Sequence, residues 1–217
     1  MLIGGVPSVL GMNLIVLAAS GRTGRALARQ ALRRGHTVTA IARDPQRIAL
    51  DHPNLRKVAG DVSDPASIAA VVDEDSVVLS GLGTDVAGVL LDGAKAVVAA
   101  APKRIIWLGA YGTGASAEAA GEGAGVLRKF LGDRMPDKIA ADNTVLAAGG
   151  TVFHAGVLSD EPESPDRRTV GLDAAPPFDL TASVSRETVA AAMLDEAENP
   201  RFPGAVALPL VSRAGSS

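Results

Sequence analysis

Apolar residues fall along this chain in short, nearly unbroken runs, each followed by a small-residue turn and then by a stretch with helical spacing. The first run, Leu14-Ile15-Val16-Leu17, reads as a strand buried on both faces. It breaks at Ala18-Ala19-Ser20-Gly21 and passes into Gly24, Leu27, Ala28, Ala31 and Leu32, which share one helix face, with Gly35 closing that helix. Further strands are predicted at His36 to Ala42, Leu55 to Ala59, Ser76 to Ser80, Lys103 to Gly109, Thr151 to Ala155 and Ala205 to Leu210.

Helices are predicted between them. One opens at Asp64, an N-cap, with Pro65 in its first position and Ile68, Val71 and Val72 facing inward. Thr84 or Asp85 caps the next, whose apolar face is Val86, Val89, Leu90, Ala94, Val97 and Val98. Another runs from Pro136 or Asp137 to Ala148 and stops at Gly149-Gly150. Ser185 caps the last, with Glu187 in its first turn and Val189, Met193 and Leu194 inside. Arg43 to Arg47 reads as a loop and helix start, Ala110 to Gly125 as a mobile loop, and Ser159 to Arg168 as an exposed one.

Strands alternating with helices predict an α/β fold, doubly wound, with a mostly parallel sheet of about seven strands and helices on both faces. Residues 13–211 read as a single domain, 1–12 as an N-terminal extension ahead of it, and 212–217 as a small polar tail. The 21 basic and 24 acidic residues leave a net charge of −3, which argues against nucleic acid or an anionic membrane as partner. With no cysteine, disulfides, thiolate catalysis and cysteine-based zinc sites are excluded; the three histidines have no metal-ligand spacing. No apolar run approaches the ~20 residues of a membrane span. A cytoplasmic location is the expectation, as a monomer or weak homodimer acting on a small molecule.

The first strand, its tight turn and the helix after it make a dinucleotide-phosphate site. The turn lets backbone approach a pyrophosphate, and the helix N-terminus points its free N–H groups and positive dipole end at it. Arg43 ends the second strand, where an acidic side chain would accept from a ribose 2′-hydroxyl and a basic one accommodates a 2′-phosphate. Arg22, in the turn, can add a second contact. Asp44 competes for that role but precedes Pro45, which favours a turn cap. NADP(H) is therefore the expected cofactor, and a solvated surface arginine is the other reading of Arg43.

The turn, Ala18-x-x-Gly21-x-x-Gly24, with Ser20, Arg22 and Thr23 between, resembles the G-x-x-G-x-x-G of the short-chain dehydrogenase superfamily. Ala-Ser-Gly-Arg-Thr-Gly is similar to its atypical branch, which holds the NmrA-like proteins and the biliverdin and flavin reductases. The resemblance continues through Val38 to Arg43, Gly60-Asp61-Val62, Gly81-Leu82-Gly83, Lys103-Arg104-Ile105-Ile106 and Ser185 to Ala190, and so covers Met12 to Leu210 in order. Ala18 stands where the family usually has its first glycine. The resemblance implies that Asp61 and Val62 contact the adenine, although Asp61 can equally satisfy loop backbone. It also implies that Gly81, Leu82 and Gly83 pass close to the nicotinamide ribose.

The Tyr-x-x-x-Lys pair of most short-chain dehydrogenases, in which the lysine lowers the tyrosine pKa, is absent. The one tyrosine, Tyr111, is followed four residues later by Ala115. Ala110 occupies the place where the resembling reductases carry a hydroxyl. Tyr111 either sets a phenol over the nicotinamide or is a half-buried loop aromatic. Lys138 falls where the superfamily lysine often does, or is an exposed lysine opening a helix. His154 ends the sixth strand where many relatives read Arg-Pro-Gly, and is expected to line the cleft. The catalytic candidates are thus Tyr111, His154 and Lys138. The resemblance implies an NADPH-dependent oxidoreductase passing a hydride to a flavin-, quinone- or tetrapyrrole-like acceptor, with solvent supplying the proton. The alternative is a non-catalytic NADP(H)-binding sensor of the NmrA type.

Overall fold

The computed structural model describes residues 11–83 and 86–211. Most of the proposed N-terminal extension, the capping pair Thr84 and Asp85, and the tail 212–217 lie outside the described residues. The strands are β1 (Asn13–Leu17), β2 (Thr37–Ala42), β3 (Leu55–Ala59), β4 (Val77–Ser80), β5 (Arg104–Ala110), β6 (Thr151–Ala155), β7 (Val157–Ser159), β8 (Arg167–Gly171), β9 (Ser183–Ser185) and β10 (Val206–Val211). The helices are α1 (Arg22–Arg33), α2 (Pro65–Ala69), α3 (Val89–Ala99), α4 (Ala117–Ala120), α5 (Gly123–Leu131), α6 (Met135–Ala147) and α7 (Arg186–Glu198).

The main sheet has the order β3-β2-β1-β4-β5-β6-β10-β8. Every pairing in it is parallel except β10 with β8, so the doubly wound Rossmann fold read from the sequence is correct. Successive residues of a strand point to opposite faces. Leu14 and Val16 enter one core with Leu27 and Ala31 of α1 and Val189 and Met193 of α7. Ile15 and Leu17 enter the other with Ile68 of α2, Leu90 and Val97 of α3 and Val145 of α6. Burial on both faces explains why β1 is apolar without alternation. Each such side chain contributes about 1.5–3 kcal/mol of transfer free energy. The outer face of α1 carries Arg22, Arg25, Arg29 and Arg33, all exposed. Several local signals hold: Asp44, Asp64 and Ser185 each accept from a backbone N–H one turn on, at Gln46, Ala66 and Thr188.

Four features differ from the sequence reading. The main sheet has eight strands rather than about seven, because β8 adds antiparallel to β10 over Val211↔Arg167 to Ala207↔Gly171. Arg167 and Arg168 hide that strand from a search for apolar runs. A parallel pair, β7 with β9, forms a separate small sheet. The segment from Ala110 to Gly125 is no plain loop: it holds a 3-10 turn at Gly114–Ser116, then α4 and the start of α5. Its alanines favour helix, while Gly112, Gly114 and Gly121 at positive φ cut it into short pieces. Finally, α3 starts at Val89, not ahead of Val86, which is 63 % exposed. Gly88 at φ +89 turns the chain into the helix, and the Asp137 side chain of α6 caps its first-turn amides.

Candidate functional site

Parallel strands end on the same edge of a sheet, and that edge gathers the candidates: Ala18 after β1, Arg43 after β2, Asp61 after β3, Gly81 after β4, Tyr111 after β5 and His154 near the end of β6. The first turn is built by close approach. Ala18 has φ +54, a left-handed conformation that suits glycine, and its carbonyl accepts from Gly21 N at 2.8 Å. A Cβ on Gly24 would lie 2.1 Å from the Ala18 carbonyl oxygen, and one on Gly81 would lie 2.9 Å from Gly24 N. The end of β4 therefore rests directly on the first turn of α1. Gly21 is the N-cap of α1 and no side chain caps that helix, so side chains leave its N-terminal amides uncovered. This mouth fits the pyrophosphate of a dinucleotide.

Arg43 is exposed and has no ion pair among the described residues. Arg22 is differently placed, since its guanidinium pairs with Asp160 at 3.0 Å, and Asp160 also takes Arg186 at 2.6 Å. The little burial at Asp160 pushes its pKa up, but hydrogen bonds and charge from Arg22 and Arg186 win and hold it below the usual carboxylate value. Asp61 accepts from Ser63 N at 3.0 Å and is tied by its backbone to Ser67. Val62 and Leu82 converge over α3, where a Cβ on Gly93 would lie 3.3 Å and 3.1 Å from them. Ser20 is half-buried, Thr23 is buried inside α1, and Gly83 is open, with nothing within 4 Å of an added Cβ.

Tyr111 is buried, its hydroxyl donates to the Pro176 carbonyl, and its ring lies 5.9 Å from that of Phe178. Burial pushes its pKa above the ordinary phenol value. His154 is 1 % exposed, with Nδ1 2.6 Å from Ser116 Oγ and Nε2 3.1 Å from Asp142 Oδ2. Asp142 lies one helical turn after Lys138 on α6. Burial pushes the Lys138 pKa down, the carboxylates of Asp142 and Asp137 oppose that, Arg134 reinforces it, and the net shift is downward. Asp137 also supplies the missing cap of α3: its carboxylate accepts from Leu90 N at 3.2 Å and Leu91 N at 3.0 Å. Those two bonds hold the first turn of α6 against the first turn of α3. The sequence reading passed over Ser116, Asp142 and Asp160, and named Asp137 only as a possible helix start. The four-residue spacing of Lys138 and Asp142 was the one signal present for them.

Residues 18–200 match the sequence model of a family described as NAD(P)H-binding. The chain belongs to that family. NAD(P)H is the family's cofactor, as the turn after β1 led us to expect. Solved structures agree in fold. ChuY of Escherichia coli O157:H7, described as an anaerobilin reductase, superposes with a TM-score of 0.77 at 18 % identity, covering 95 % of this chain and all 100 % of that one. A Rossmann-fold NAD(P)-binding family protein of Shigella flexneri gives 0.72 at 22 % identity, over 96 % and 98 % of the two chains. A short-chain dehydrogenase/reductase of Veillonella parvula, in complex with NADP, gives 0.74 at 19 % identity, over 94 % and 96 %. Among the described residues no group of His, Cys, Asp and Glu is arranged to hold a metal, and no helix is long and apolar enough to cross a membrane.

Proposed function

We propose that this member of the NAD(P)H-binding family is an NADPH-dependent oxidoreductase that reduces a small planar acceptor of the flavin, quinone or tetrapyrrole kind. The observation that carries the cofactor choice is Arg43, a free guanidinium at the end of the strand beside the uncovered N-terminus of α1. Its planar fork suits a 2′-phosphate, which NADPH has and NADH lacks. The amides at Gly21, Arg22, Thr23 and Gly24 take the pyrophosphate, with Ala18 and Ser20 shaping the turn. Asp61 and Val62 border the adenine, and Gly81, Leu82 and Gly83 leave room for the nicotinamide ribose.

Bound NADPH supplies a hydride, which carries both electrons. The protein positions the acceptor, and the accompanying proton comes from solvent. Of the three polar candidates, Tyr111 and His154 have their polar atoms engaged within the fold, so the reading leaves Lys138 as the group at the nicotinamide end. Support for a tetrapyrrole among the acceptors comes from the described activity of ChuY, a fold relative.

A second reading, an NADP(H)-binding sensor, is favoured by that same engagement of Tyr111 and His154 and by Ala110 at the family's hydroxyl position. Purified protein with NADPH and each acceptor class, followed by nicotinamide absorbance, separates the two: turnover supports the reductase, and binding without turnover supports the sensor. For the cofactor, Arg43→Ala loses a charge-assisted contact of about 1.5–3 kcal/mol, so preference for NADPH over NADH falls about tenfold or more. An unchanged preference overturns the role of Arg43.

A further inference from the structure

Asp160 holds one carboxylate between two guanidinium groups. Its Oδ2 lies 3.0 Å from Nη1 of Arg22, the first residue of α1, and its Oδ1 lies 2.6 Å from Nη1 of Arg186, the first residue of α7. The two partners are attached differently. Arg186 also donates to the Ser159 carbonyl at 3.1 Å, across the ends of the paired strands β7 and β9. The loop that follows is tied to the start of α7 as well: Ser185 Oγ donates to the Pro162 carbonyl at 2.8 Å, and Ser164 N donates to Thr188 Oγ1 at 2.9 Å. Asp160 is therefore anchored on the α7 side. Arg22 meets it from the α1 side through a single bond, and both members of that pair are exposed, at 63 % and 61 %.

The same cleft brings Arg25, Arg29 and Glu187 beside these three residues. Glu187 is engaged by Arg29, so four guanidinium groups face two carboxylates there. An arginine that swings out of the cleft relieves like-charge repulsion, and Arg186 stays behind to keep Asp160 paired. Arg22 also opens the helix whose N-terminal amides no side chain covers. Its guanidinium thus stands between two anions: the carboxylate fixed on the loop after β7, and a phosphate arriving at the helix mouth. A phosphate group takes a guanidinium in a forked, charge-assisted contact, whereas an exposed ion pair of this kind is weak. The phosphate wins that exchange, but it must first break the pair.

We propose that Asp160 is an internal competitor of the cofactor's phosphates: it holds the Arg22 guanidinium in the free protein, yields it when a dinucleotide binds, and so sets cofactor affinity. This rests on the proposed function, which places a dinucleotide at the N-terminus of α1. Asp160→Asn keeps the shape of the side chain and removes its charge. The dinucleotide is then spared the breaking of the ion pair and meets one negative charge fewer, so it binds more tightly.

The test is the Kd of NADPH and of NADH, by fluorescence titration at one low ionic strength, for the wild type, Asp160→Asn, Arg22→Ala and the double variant. Asp160→Asn is expected to tighten binding about two- to fivefold, the range for an exposed ion pair that no longer has to be broken. In the Arg22→Ala background the same change is expected to leave Kd where it was. Equal gains for both nucleotides assign Arg22 to the pyrophosphate, which both carry, and a gain for NADPH alone assigns it to the 2′-phosphate; either upholds the competition. Unchanged or weaker binding by folded Asp160→Asn overturns it. An equal gain in the Arg22→Ala background also overturns it, because a carboxylate acting through bulk charge has no need of Arg22. Should Asp160→Asn fail to fold, nitrogen NMR of the wild-type arginine side chains decides: NADPH that shifts the Arg22 signal and leaves Arg186 in place upholds the exchange, and an unmoved Arg22 signal overturns it. Wild-type binding with no response to Asp160→Asn defeats this proposal alone. Failure of all four proteins to bind either nucleotide defeats the cofactor assignment, and the competition with it.

Discussion

Replacing Ala18 by glycine and Gly24 by alanine moves one methyl group between two positions of the same turn, and the geometry assigns the two changes opposite signs. Ala18 sits at φ +54, where an L-residue with a Cβ is disfavoured by about 1–2 kcal/mol. Glycine removes that strain but adds about 0.5–1 kcal/mol of backbone entropy to the unfolded chain. Ala18→Gly is therefore expected to stabilise by about 0.5–1 kcal/mol. At Gly24 an added Cβ would stand 2.1 Å from the Ala18 carbonyl oxygen, 2.7 Å from its carbon and 2.9 Å from Ala19 Cα. All three atoms are backbone, so no side chain can swing away and the first turn of α1 must move. Overpacking of this kind costs about 3 kcal/mol at the upper end, against about 1 kcal/mol gained from alanine in a helix. The net loss is about 2 kcal/mol. Thermal unfolding followed by the fluorescence of Trp107, the one tryptophan and 1 % exposed, reads both changes. At about 2–4 °C per kcal/mol for a chain of this size, Gly24→Ala melts about 4–8 °C lower and Ala18→Gly a few degrees higher. Because the proposed function assigns the amides of the moved turn to the pyrophosphate, Gly24→Ala is also expected to weaken NADPH binding about tenfold or more, a loss of about 1.4 kcal/mol. A Gly24→Ala protein that melts at or above the wild type refutes the close approach on which this rests.

Two further outcomes follow from the packing of α1 on α7 and of α3 on α6. Partial burial pushes the Glu187 pKa up, but hydrogen bonds from Arg29 and Gln30 and the charges of Arg29 and Arg33 outweigh it, and the net shift is below 4.5. A depressed carboxylate stabilises the fold above its unfolded pKa and loses that contribution as pH falls through the folded one; Glu187→Gln is thus expected to flatten the decline of melting temperature below about pH 4.5, and an equally steep decline counts against the pairing. Asp137→Ala leaves the amides of Leu90 and Leu91 without their cap, a loss of about 1 kcal/mol in urea unfolding; no change in midpoint means that α3 does not depend on α6 for its start.

Much of the fold was legible because its signals are local. Asp44, Asp64 and Ser185 cap turns within three residues of themselves. The apolar runs of β1, β4, β5 and β6 report burial on both faces, which only a covered parallel sheet provides. The turn at Ala18 to Gly24 carries its meaning in small residues that allow backbone to approach backbone. β8 was missed for the opposite reason. It is an edge strand with two arginines, and its pairing with β10 depends on a partner about forty residues further along the chain.

The site divides in the same way. The strand-turn-helix unit around Ala18 to Gly24 is a property of one contiguous stretch, so the sequence by itself determined the NAD(P)H-binding family. The states of the other polar groups were decided only by tertiary structure. Arg22 meets Asp160 across 138 residues, His154 meets Ser116 across 38 and Asp142 across 12, and Tyr111 meets Pro176 across 65. None of these contacts has a sequence period, since each arises where sheet order brings separate loops and helices together. A tyrosine, a histidine and a lysine were equal candidates as letters; burial and hydrogen bonding set Tyr111 and His154 into the walls of the fold.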